Sequence, residues 1–298
     1  MKDGAKDEID DSTAPLIEHL AELRTRLLYS LLAFVVGMIA CFAVAGPIFN
    51  FLAAPISRLL IEHGQEPQLI FTGLQQGFMT QVRISMFGGL VIAFPVIAYQ
   101  LWRFVAPGLY RSEKNAFLPF LFASPVLFLI GGAFSFYVVL PLAYDFFLGF
   151  QQFGAGGPIP SAAELAAGAS AAPDSAVGIQ FLGTINEYLS LTMRFIIAFG
   201  LCFQMPVALT LMGKAGIVTA ASLSSFRRYA LVLMLILAAL VTPGPDVITQ
   251  LVLFAAVYPL YEISILLVRR TEKKREAELR AQGLWDDDLE TETAEEKP

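Results

Sequence analysis

The chain offers few residues for covalent or metal chemistry. Its 298 residues include two histidines and two cysteines, and no H-E-x-x-H or C-x-x-C pattern brings metal ligands, or a nucleophile and a base, together. Both cysteines, Cys41 and Cys202, lie in apolar stretches, where a small hydrophobic side chain is expected rather than a disulfide. The sequence therefore predicts no enzyme, no metal site and no cofactor.

Two groups of polar residues near the ends of apolar stretches are candidates for binding. In the first, Glu22 and Arg24 are two positions apart, whereas Glu22 and Arg26 are four apart and can pair on one side of a helix. In the second, a turn at Pro107 precedes Glu113. On spacing alone, the first group is a solvated face beside lipid headgroups. The second is either a connector or a loop that presents Glu113 to a cationic ligand.

Two further polar features lie within apolar stretches. Gln204 precedes Pro206, whose missing N–H frees a backbone carbonyl. Gln204 can satisfy that carbonyl or bond to a neighbouring helix, and helix packing is its simplest role. Asp246 lies in a proline-rich turn, and Glu262 lies in the apolar stretch that follows. An ionisable residue at membrane depth costs about 2.5 to 3.5 kcal/mol on insertion scales, so Glu262 is a candidate site residue.

Long apolar segments must position these residues. Of the whole chain, 56% is apolar or aromatic and 15% is charged, against about a quarter charged in soluble domains. This composition, with uncharged runs long enough to cross a bilayer, predicts an all-α integral membrane protein. We expect six transmembrane helices, at about residues 27–45, 78–101, 116–140, 188–212, 229–241 and 248–268.

The fifth expected span is short. A helix over 229–241 reaches only about 20 Å, against a hydrocarbon core of about 30 Å. We therefore predict a tight hairpin of two spans around the turn at Asp246. A short span can be met by a thinner bilayer, so local thinning beside this hairpin is a further hypothesis.

The distribution of Lys and Arg predicts the orientation. The segments 103–114 and 214–228 carry three basic residues each and 269–280 carries six, whereas 141–187 carries none. By the positive-inside rule, the basic segments and both termini face the cytoplasm. Basic residues form no long stripe with interleaved aromatics, so nucleic acid is not an expected partner. The expected organisation is a disordered cytoplasmic tail over 1–14, a membrane domain over 15–270 and a charged cytoplasmic tail over 271–298.

Five motifs, in order along the chain, resemble the TatC family, the largest subunit of the twin-arginine protein translocase. They are H-L-A-E-L-R-T-R-L before span one, Ala54-Pro55 in the first outer loop, F-P-V-I-A-Y-Q-L-W-R-F-V-A-P-G-L-Y-R-S-E from span two into the loop that follows it, F-Q-M-P-V-A in span four, and T-P-G-P-D-V-I-T-Q in the last turn. The resemblance covers about residues 15–270. It implies a cupped six-helix bundle that recognises folded cargo through a signal peptide with two adjacent arginines, and thus a receptor.

The resemblance also implies roles for single residues. Glu22 and Glu113 match the acidic positions that the family uses for the arginine pair. Other residues of the signal-peptide region are matched by Arg24, Phe104, Pro107 and Leu109. Pro55 and Asp246 match positions important on the outer side, and Gln204 and Glu262 are the intramembrane polar residues available to a partner. The expected partners are TatA- and TatB-like single-span membrane subunits, twin-arginine signal peptides, the lipid bilayer and further copies of the chain, in the bacterial cytoplasmic (inner) membrane.

Two features depart from the family pattern. Gln204 stands where many members have Glu, which leaves hydrogen bonding but no charge at this position, and Gly244 separates the two prolines of the last turn. Two other functions, a secondary transporter and an intramembrane enzyme, are the alternatives at this point. A small-solute secondary transporter would use Gln204, Glu262 and the prolines within spans. An intramembrane enzyme would need a matched nucleophile and base, which the sequence does not offer.

Overall fold

The computed structural model describes residues 4–62, 66–105, 114–153, 183–242 and 247–281, and it describes side chains over 20–62, 66–104, 120–148, 183–242, 249–277 and at residue 280. This part of the chain is almost entirely helical. The helices are α1 Gly4–Ala43, α2 Ala45–Glu62, α3 Gln76–Val105, α4 Lys114–Phe134, α5 Leu140–Phe153, α6 Ile185–Cys202, α7 Met205–Lys214, α8 Ala220–Ser225, α9 Arg227–Val241 and α10 Val247–Ala281. A π-helical turn, Ser135–Val139, joins α4 to α5, and the short strands β1 Leu69–Ile70 and β2 Gly183–Thr184 pair in parallel.

Five stretches are long and apolar enough to cross a membrane, which makes this a multi-pass membrane protein. They are Leu20–Ala43, Gln76–Phe104, Phe120–Leu148, Ile185–Lys214 and Thr249–Ala277. The fifth predicted span corresponds to α9, whose 15 residues rise only about 22 Å. α9 is therefore shorter than the hydrocarbon core of a typical bilayer.

Three segments are more helical than the sequence alone suggested. Residues expected to be disordered over 1–14 are helical from Gly4, because they continue α1 without a break into the first span. The expected loop over 46–76 contains α2, whose buried Leu52, Ile56 and Leu60 repeat every four residues along one face. Span three continues into α5, because the π-turn rearranges the hydrogen bonds that Pro141 would otherwise interrupt.

Glycines bring α1 and α3 close together. A Cβ on Gly37 would lie 3.0 Å from the Gly89 carbonyl oxygen, and a Cβ on Gly89 would lie 2.6 Å from the Met38 amide nitrogen. Small residues allow such close backbone approach between membrane helices. The two helices are antiparallel, since Arg26 of α1 bonds to Gln100 of α3, whereas Gly37, later in α1, faces Gly89, earlier in α3. α3 thus fixes the position of the segment that carries Glu22.

The bundle has two chemically different ends. We call the end at which α1 enters the bundle the basic end, because α3, α7, α9 and α10 also bring Arg103, Lys214, Arg227 and Arg269 there. The opposite end holds α2, the β1–β2 pair and the start of α6. There, the buried hydroxyl of Tyr188 donates to the Leu52 carbonyl, and the Tyr144 and Thr192 hydroxyls share a hydrogen bond.

Candidate functional site

A cavity of about 450 Å³ opens between α1 and α3 at the basic end. Its lining is polar on both sides and consists of Ala21, Glu22, Thr25, Arg26, Tyr29, Gln100 and Arg103. The residues from α1 recur at intervals of one helical turn, so a single face of α1 supplies most of the wall. The cavity places the first predicted group of polar residues against the end of the second predicted span.

Glu22 and Arg26 form an ion pair at the centre of this cavity. The Arg26 Nε donates to Glu22 Oε1 at 3.0 Å, and Arg26 Nη2 donates to the same oxygen. Arg26 Nη1 donates to Gln100 Oε1 at 3.3 Å. The side chains of Glu22 and Arg26 are 34% and 15% exposed. The pairing predicted from the four-residue spacing is confirmed, and the site holds a guanidinium beside Glu22.

Arg24 and Phe104 lie near the cavity but are not among its lining residues. Arg24 is exposed, which follows from its two-residue offset from Glu22 on α1. Phe104 is half-buried in the last turn of α3. Beside it, Arg103 Nη1 donates to the Tyr99 hydroxyl at 3.0 Å, and the guanidinium lies 5.8 Å from the centre of the Tyr99 ring. These contacts hold Arg103 along the rim of the cavity.

Gln100 and Tyr29 are cavity residues that the sequence did not single out. Gln100 lies one helical turn before Phe104, within the longest family-like motif. This position in the motif is the sequence signal that could have identified Gln100 as a cavity residue. Its importance depends on the pairing of α1 with α3, which is a tertiary contact. Pro107, Leu109, Glu113 and Asp246, which the resemblance places in functional regions, lie outside the described residues.

Gln204 lies in the break between α6 and α7 and hydrogen-bonds within the chain. Its Nε2 donates to the Ser124 carbonyl at 2.8 Å, and the Ser124 hydroxyl donates to its Oε1 at 2.5 Å. The Trp102 indole donates in turn to the Ser124 hydroxyl at 3.2 Å. Gln204 thereby connects α4 to the α6–α7 break, and Trp102 joins α3 to the same group of hydrogen bonds. This is the helix-packing role expected from the position of Gln204 before Pro206.

Replacing Gln204 by leucine is expected to destabilise the protein by about 1 to 3 kcal/mol. The change removes both hydrogen bonds to Ser124 and leaves its buried hydroxyl without an acceptor. Thermal unfolding of the purified chain measures the loss. Gln204→Glu is the informative companion, because a carboxylate can accept from the Ser124 hydroxyl but cannot donate to its carbonyl. An unfolding temperature for Gln204→Leu equal to that of the parent chain would contradict this role.

Glu262 is held by side chains of α9 and α10. Arg227 Nη2 donates to Glu262 Oε2 at 2.8 Å, and the Tyr258 hydroxyl donates to Glu262 Oε1 at 2.9 Å. Glu262 is 31% exposed. Its charge is therefore compensated inside the chain, at the basic end of the short helix α9, and this ion pair joins the first turn of α9 to α10.

Pro55 lies in the middle of α2 at the opposite end of the bundle. A proline cannot donate to the carbonyl four residues earlier, so the helix is weakened at this turn. The neighbouring Leu52 carbonyl accepts the hydrogen bond from Tyr188 of α6. A second cavity, of about 440 Å³, lies between α2, the residues around β1 and the start of α6. Among the described residues, no group of three or more His, Cys, Asp or Glu side chains has the arrangement of a metal site.

Comparisons with known proteins give a single answer. The family model described as Sec-independent protein translocase protein (TatC) matches residues 18–255. The chain is 43% identical over 276 residues to the Sec-independent protein translocase protein TatC of Magnetococcus marinus, with 92% of each chain covered. It is 37% identical to the TatC protein of Aquifex aeolicus, covering 88% of this chain and 98% of that one.

Solved structures agree with the sequence comparisons. A crystal structure of the twin arginine translocase receptor TatC superposes with a TM-score of 0.66 at 36% identity, covering 85% of this chain and 99% of that chain. A second crystal structure, of the same receptor in DDM, superposes equally well and covers 84% of this chain. These matches confirm the predicted all-α membrane fold with a TatC-like six-helix bundle. The chain belongs to the TatC family of Sec-independent protein translocase proteins.

Proposed function

We propose that the chain is the receptor subunit of a twin-arginine translocase and binds the arginine pair of signal peptides in the cavity at the basic end. The observation that carries this proposal is the contact between Glu22 and the Arg26 guanidinium, made inside a cavity of about 450 Å³. Glu22 accepts hydrogen bonds from a guanidinium in this cavity, as it would from a ligand arginine. Glu113, the second acidic residue of the proposed site, directly precedes α4.

The chemistry of the cavity favours arginine over lysine. A guanidinium is a planar fork with five N–H donors, and it can bond to a carboxylate through two parallel hydrogen bonds. Lysine supplies a compact, strongly hydrated charge without this geometry. Glu22 and the Gln100 amide oxygen already share one guanidinium in the structure. Two acidic residues and a neutral acceptor thus suit two adjacent arginines.

The ion pairs alone give little affinity. Exposed pairs contribute about 0 to 1 kcal/mol each, and Glu22 is about one-third exposed. The remaining affinity comes from partial desolvation beside the headgroups and from the apolar stretch of the signal peptide. The exposed apolar surface of α1, with Leu23, Leu27 and Leu28, begins next to Glu22 and continues along the helix. This surface offers the apolar stretch a path into the bilayer.

The proposed orientation places the basic end and both termini in the cytoplasm. The described basic residues at that end include Arg26, Arg103, Lys214, Arg227 and Arg228, and positive residues are retained on the cytoplasmic side. The membrane is the bacterial inner membrane, and the cargo consists of folded proteins that carry twin-arginine signals. The chain performs no catalysis in this role, and recognition and assembly are its contributions.

We further propose that TatA- and TatB-like single-span subunits and other copies of the chain assemble on its lipid-facing surfaces. The Gln204 amide oxygen accepts one hydrogen bond, from Ser124, and a carbonyl oxygen has a second lone pair for a partner's donor. Glu262 contributes to assembly indirectly, because it accepts a hydrogen bond from Arg227 and so fixes this basic side chain at the start of α9. The transporter alternative gains no support, because Gln204 and Glu262 are both engaged in contacts between helices.

Binding of synthetic signal peptides to the purified chain tests the proposed function. The peptide with two arginines is expected to bind at least about tenfold more tightly than the same peptide with two lysines, because only guanidinium bonds bidentately to Glu22 and Glu113. Fluorescence anisotropy with the chain in lipid nanodiscs measures both dissociation constants. Equal affinity for the two peptides would contradict recognition by these carboxylates.

Arg26→Gln is expected to tighten binding of the twin-arginine peptide by up to about fivefold. Arg26 occupies Glu22 in the structure, so a ligand arginine competes with it, and a partly exposed ion pair of about 0 to 1 kcal/mol corresponds to a factor of this size. Arg58→Gln, which removes one positive charge from α2 at the opposite end of the bundle, serves as the matched control. If Arg26→Gln weakens binding instead, Arg26 is an essential support for Glu22 and not its competitor.

A further inference from the structure

α10 has one protein-facing side and one outward side along its whole described length. At about 100° per residue, its buried residues fall within one arc of the helix, and they are Leu253, Val257, Tyr261, Ile265 and Val268. The exposed large apolar residues Leu251, Ile263 and Leu266 fall on the other side. Because 251–266 lies within a membrane-spanning stretch, the outward side faces lipid tails.

The two sides of α10 keep the same orientation beyond Leu266, its last exposed large apolar residue among those described. Glu272 Oε1 accepts a hydrogen bond from the Ala220 amide at 2.8 Å, which attaches α10 to the start of α8. Arg275 points to the same side, since its Nη1 would lie 3.3 Å from a Cβ placed on Gly216. Glu272 and Arg275 therefore extend the protein-facing side by two turns and fix which residues face outward.

Four basic side chains occupy the outward side directly after the apolar residues. With the same 100° step, Arg269, Arg270, Lys273 and Lys274 lie on the side that carries Leu251, Ile263 and Leu266. All four side chains are exposed. Within the described ranges, none of the four forms a hydrogen bond or an ion pair with another residue. We call these four residues the outward basic face.

We propose that the outward basic face of α10 binds the phosphate headgroups of anionic phospholipids whose tails cover Leu251, Ile263 and Leu266. Arg269 follows Leu266 by three residues, or about 4.5 Å along the helix, which is short enough to place its charge in a headgroup region about 5 to 8 Å thick on each side of the bilayer. Long basic side chains extend along apolar surface while keeping the charge among headgroups. Clusters of Lys and Arg next to a membrane span attract anionic lipid, and each residue adds to the attraction.

The charges and the apolar surface together select a lipid over a soluble anion. Four positive charges within two helical turns repel one another unless an anion lies between them. A free phosphate would gain only the exposed electrostatic part of this interaction, which salt screens strongly. A phospholipid also keeps its tails on the adjoining apolar side of α10. The site is therefore expected to prefer phosphatidylglycerol over both phosphatidylcholine and inorganic phosphate.

Lipid titration of the full-length, detergent-purified chain tests this proposal. Native mass spectrometry with phosphatidylglycerol and phosphatidylcholine gives the affinity for each lipid. The parent chain is expected to bind phosphatidylglycerol about tenfold more tightly. The double variant Arg269→Gln with Arg270→Gln should lose most of this preference, and the variant with Lys273→Gln and Lys274→Gln added should lose all of it. Arg269→Lys with Arg270→Lys, which keeps the charge, should retain it.

A matched control removes the same charge elsewhere. Arg58 and Arg194 are exposed arginines away from α10, so Arg58→Gln with Arg194→Gln should leave the lipid preference unchanged. The proposal is overturned if Arg58→Gln with Arg194→Gln reduces the preference for phosphatidylglycerol as much as Arg269→Gln with Arg270→Gln does. It is also overturned if inorganic phosphate displaces the lipid at millimolar concentration. It is also overturned if phosphatidylglycerol binds only after Asp286→Asn, Asp287→Asn and Asp288→Asn, because the acidic C-terminal tail would then be the occupant of this face.

Discussion

Replacing Glu22 and Glu113 together by glutamine is expected to abolish detectable binding of twin-arginine signal peptides. Each glutamine keeps the size of the side chain but removes the negative charge that strengthens hydrogen bonds to guanidinium. A bound peptide takes these carboxylates out of water, and hydrogen bonds to charged groups then contribute about 1.5 to 3 kcal/mol, more than the roughly 0 to 1 kcal/mol of an exposed pair, so each single variant should weaken binding by roughly ten- to hundredfold. Peptide anisotropy in nanodiscs measures the three dissociation constants.

The matched control for this experiment is the pair Glu187→Gln and Glu276→Gln. Both residues are exposed glutamates outside the cavity, so the double variant makes the same change in net charge. It is expected to bind the peptide as the parent chain does. Unchanged affinity in the Glu22 and Glu113 double variant would refute the assignment of the arginine pair to these carboxylates, whatever the control shows.

Gly89→Ala is expected to destabilise the protein by about 2 to 3 kcal/mol and to weaken peptide binding with it. The new Cβ would lie 2.6 Å from the Met38 amide nitrogen and 2.7 Å from its Cα, and a backbone cannot move aside as a flexible side chain can. Overpacking of this kind costs about 1 to 3 kcal/mol. Because α1 is attached to the bundle mainly through α3, its displacement would separate Arg26 from Gln100.

Gly46→Ala is the control for this packing effect. A Cβ on Gly46 meets no atom within 4 Å, and alanine is favoured over glycine in a helix. The unfolding temperature of Gly46→Ala should equal or slightly exceed that of the parent chain. Thermal unfolding of both variants, followed by peptide binding at low temperature, separates stability from recognition. A Gly89→Ala chain with unchanged unfolding temperature would show that α1 and α3 do not pack as closely as described.

The membrane class and the ion pair could be predicted from the sequence, because each depends on local information. Apolar content and long uncharged runs determine that helices cross the membrane, since only helices and closed barrels satisfy the backbone there. The pairing of Glu22 with Arg26 follows from the four-residue repeat of one helix. The confirmed TatC-like bundle needed more than composition, and it was predicted through motifs that recur in order along the chain.

The remaining parts of the site depend on contacts between distant segments. Gln100 approaches Arg26 only because Gly37 and Gly89 allow α1 and α3 to come together, and the sequence does not indicate that these two helices pair. Helix α2 could not be predicted, because a proline such as Pro55 within the expected first outer loop favours a break in a helix. In the structure, Pro47 lies in the first turn, where a proline is well tolerated, and the buried side of α2 compensates for Pro55.

We propose that the bilayer is locally thinner beside the short helix α9. Its 15 residues end at Val241, and the Arg227–Glu262 ion pair holds its first turn against α10. An apolar helix of about 22 Å leaves a mismatch with a typical membrane, which local thinning can relieve. A thinner bilayer beside a cargo receptor would ease the passage of folded proteins.

Photo-crosslinking from the arginine pair tests the central claim most directly. A twin-arginine signal peptide with a photoreactive group next to the two arginines is bound to the chain in nanodiscs and irradiated, and the labelled residues are identified by mass spectrometry. We expect labelling in α1 around Glu22 and at the end of α3 around Gln100 and Phe104, and we expect it to disappear in the Glu22→Gln and Glu113→Gln double variant. Labelling that persists unchanged in this variant, or that falls on α2 at the opposite end of the bundle, would contradict the proposed receptor site.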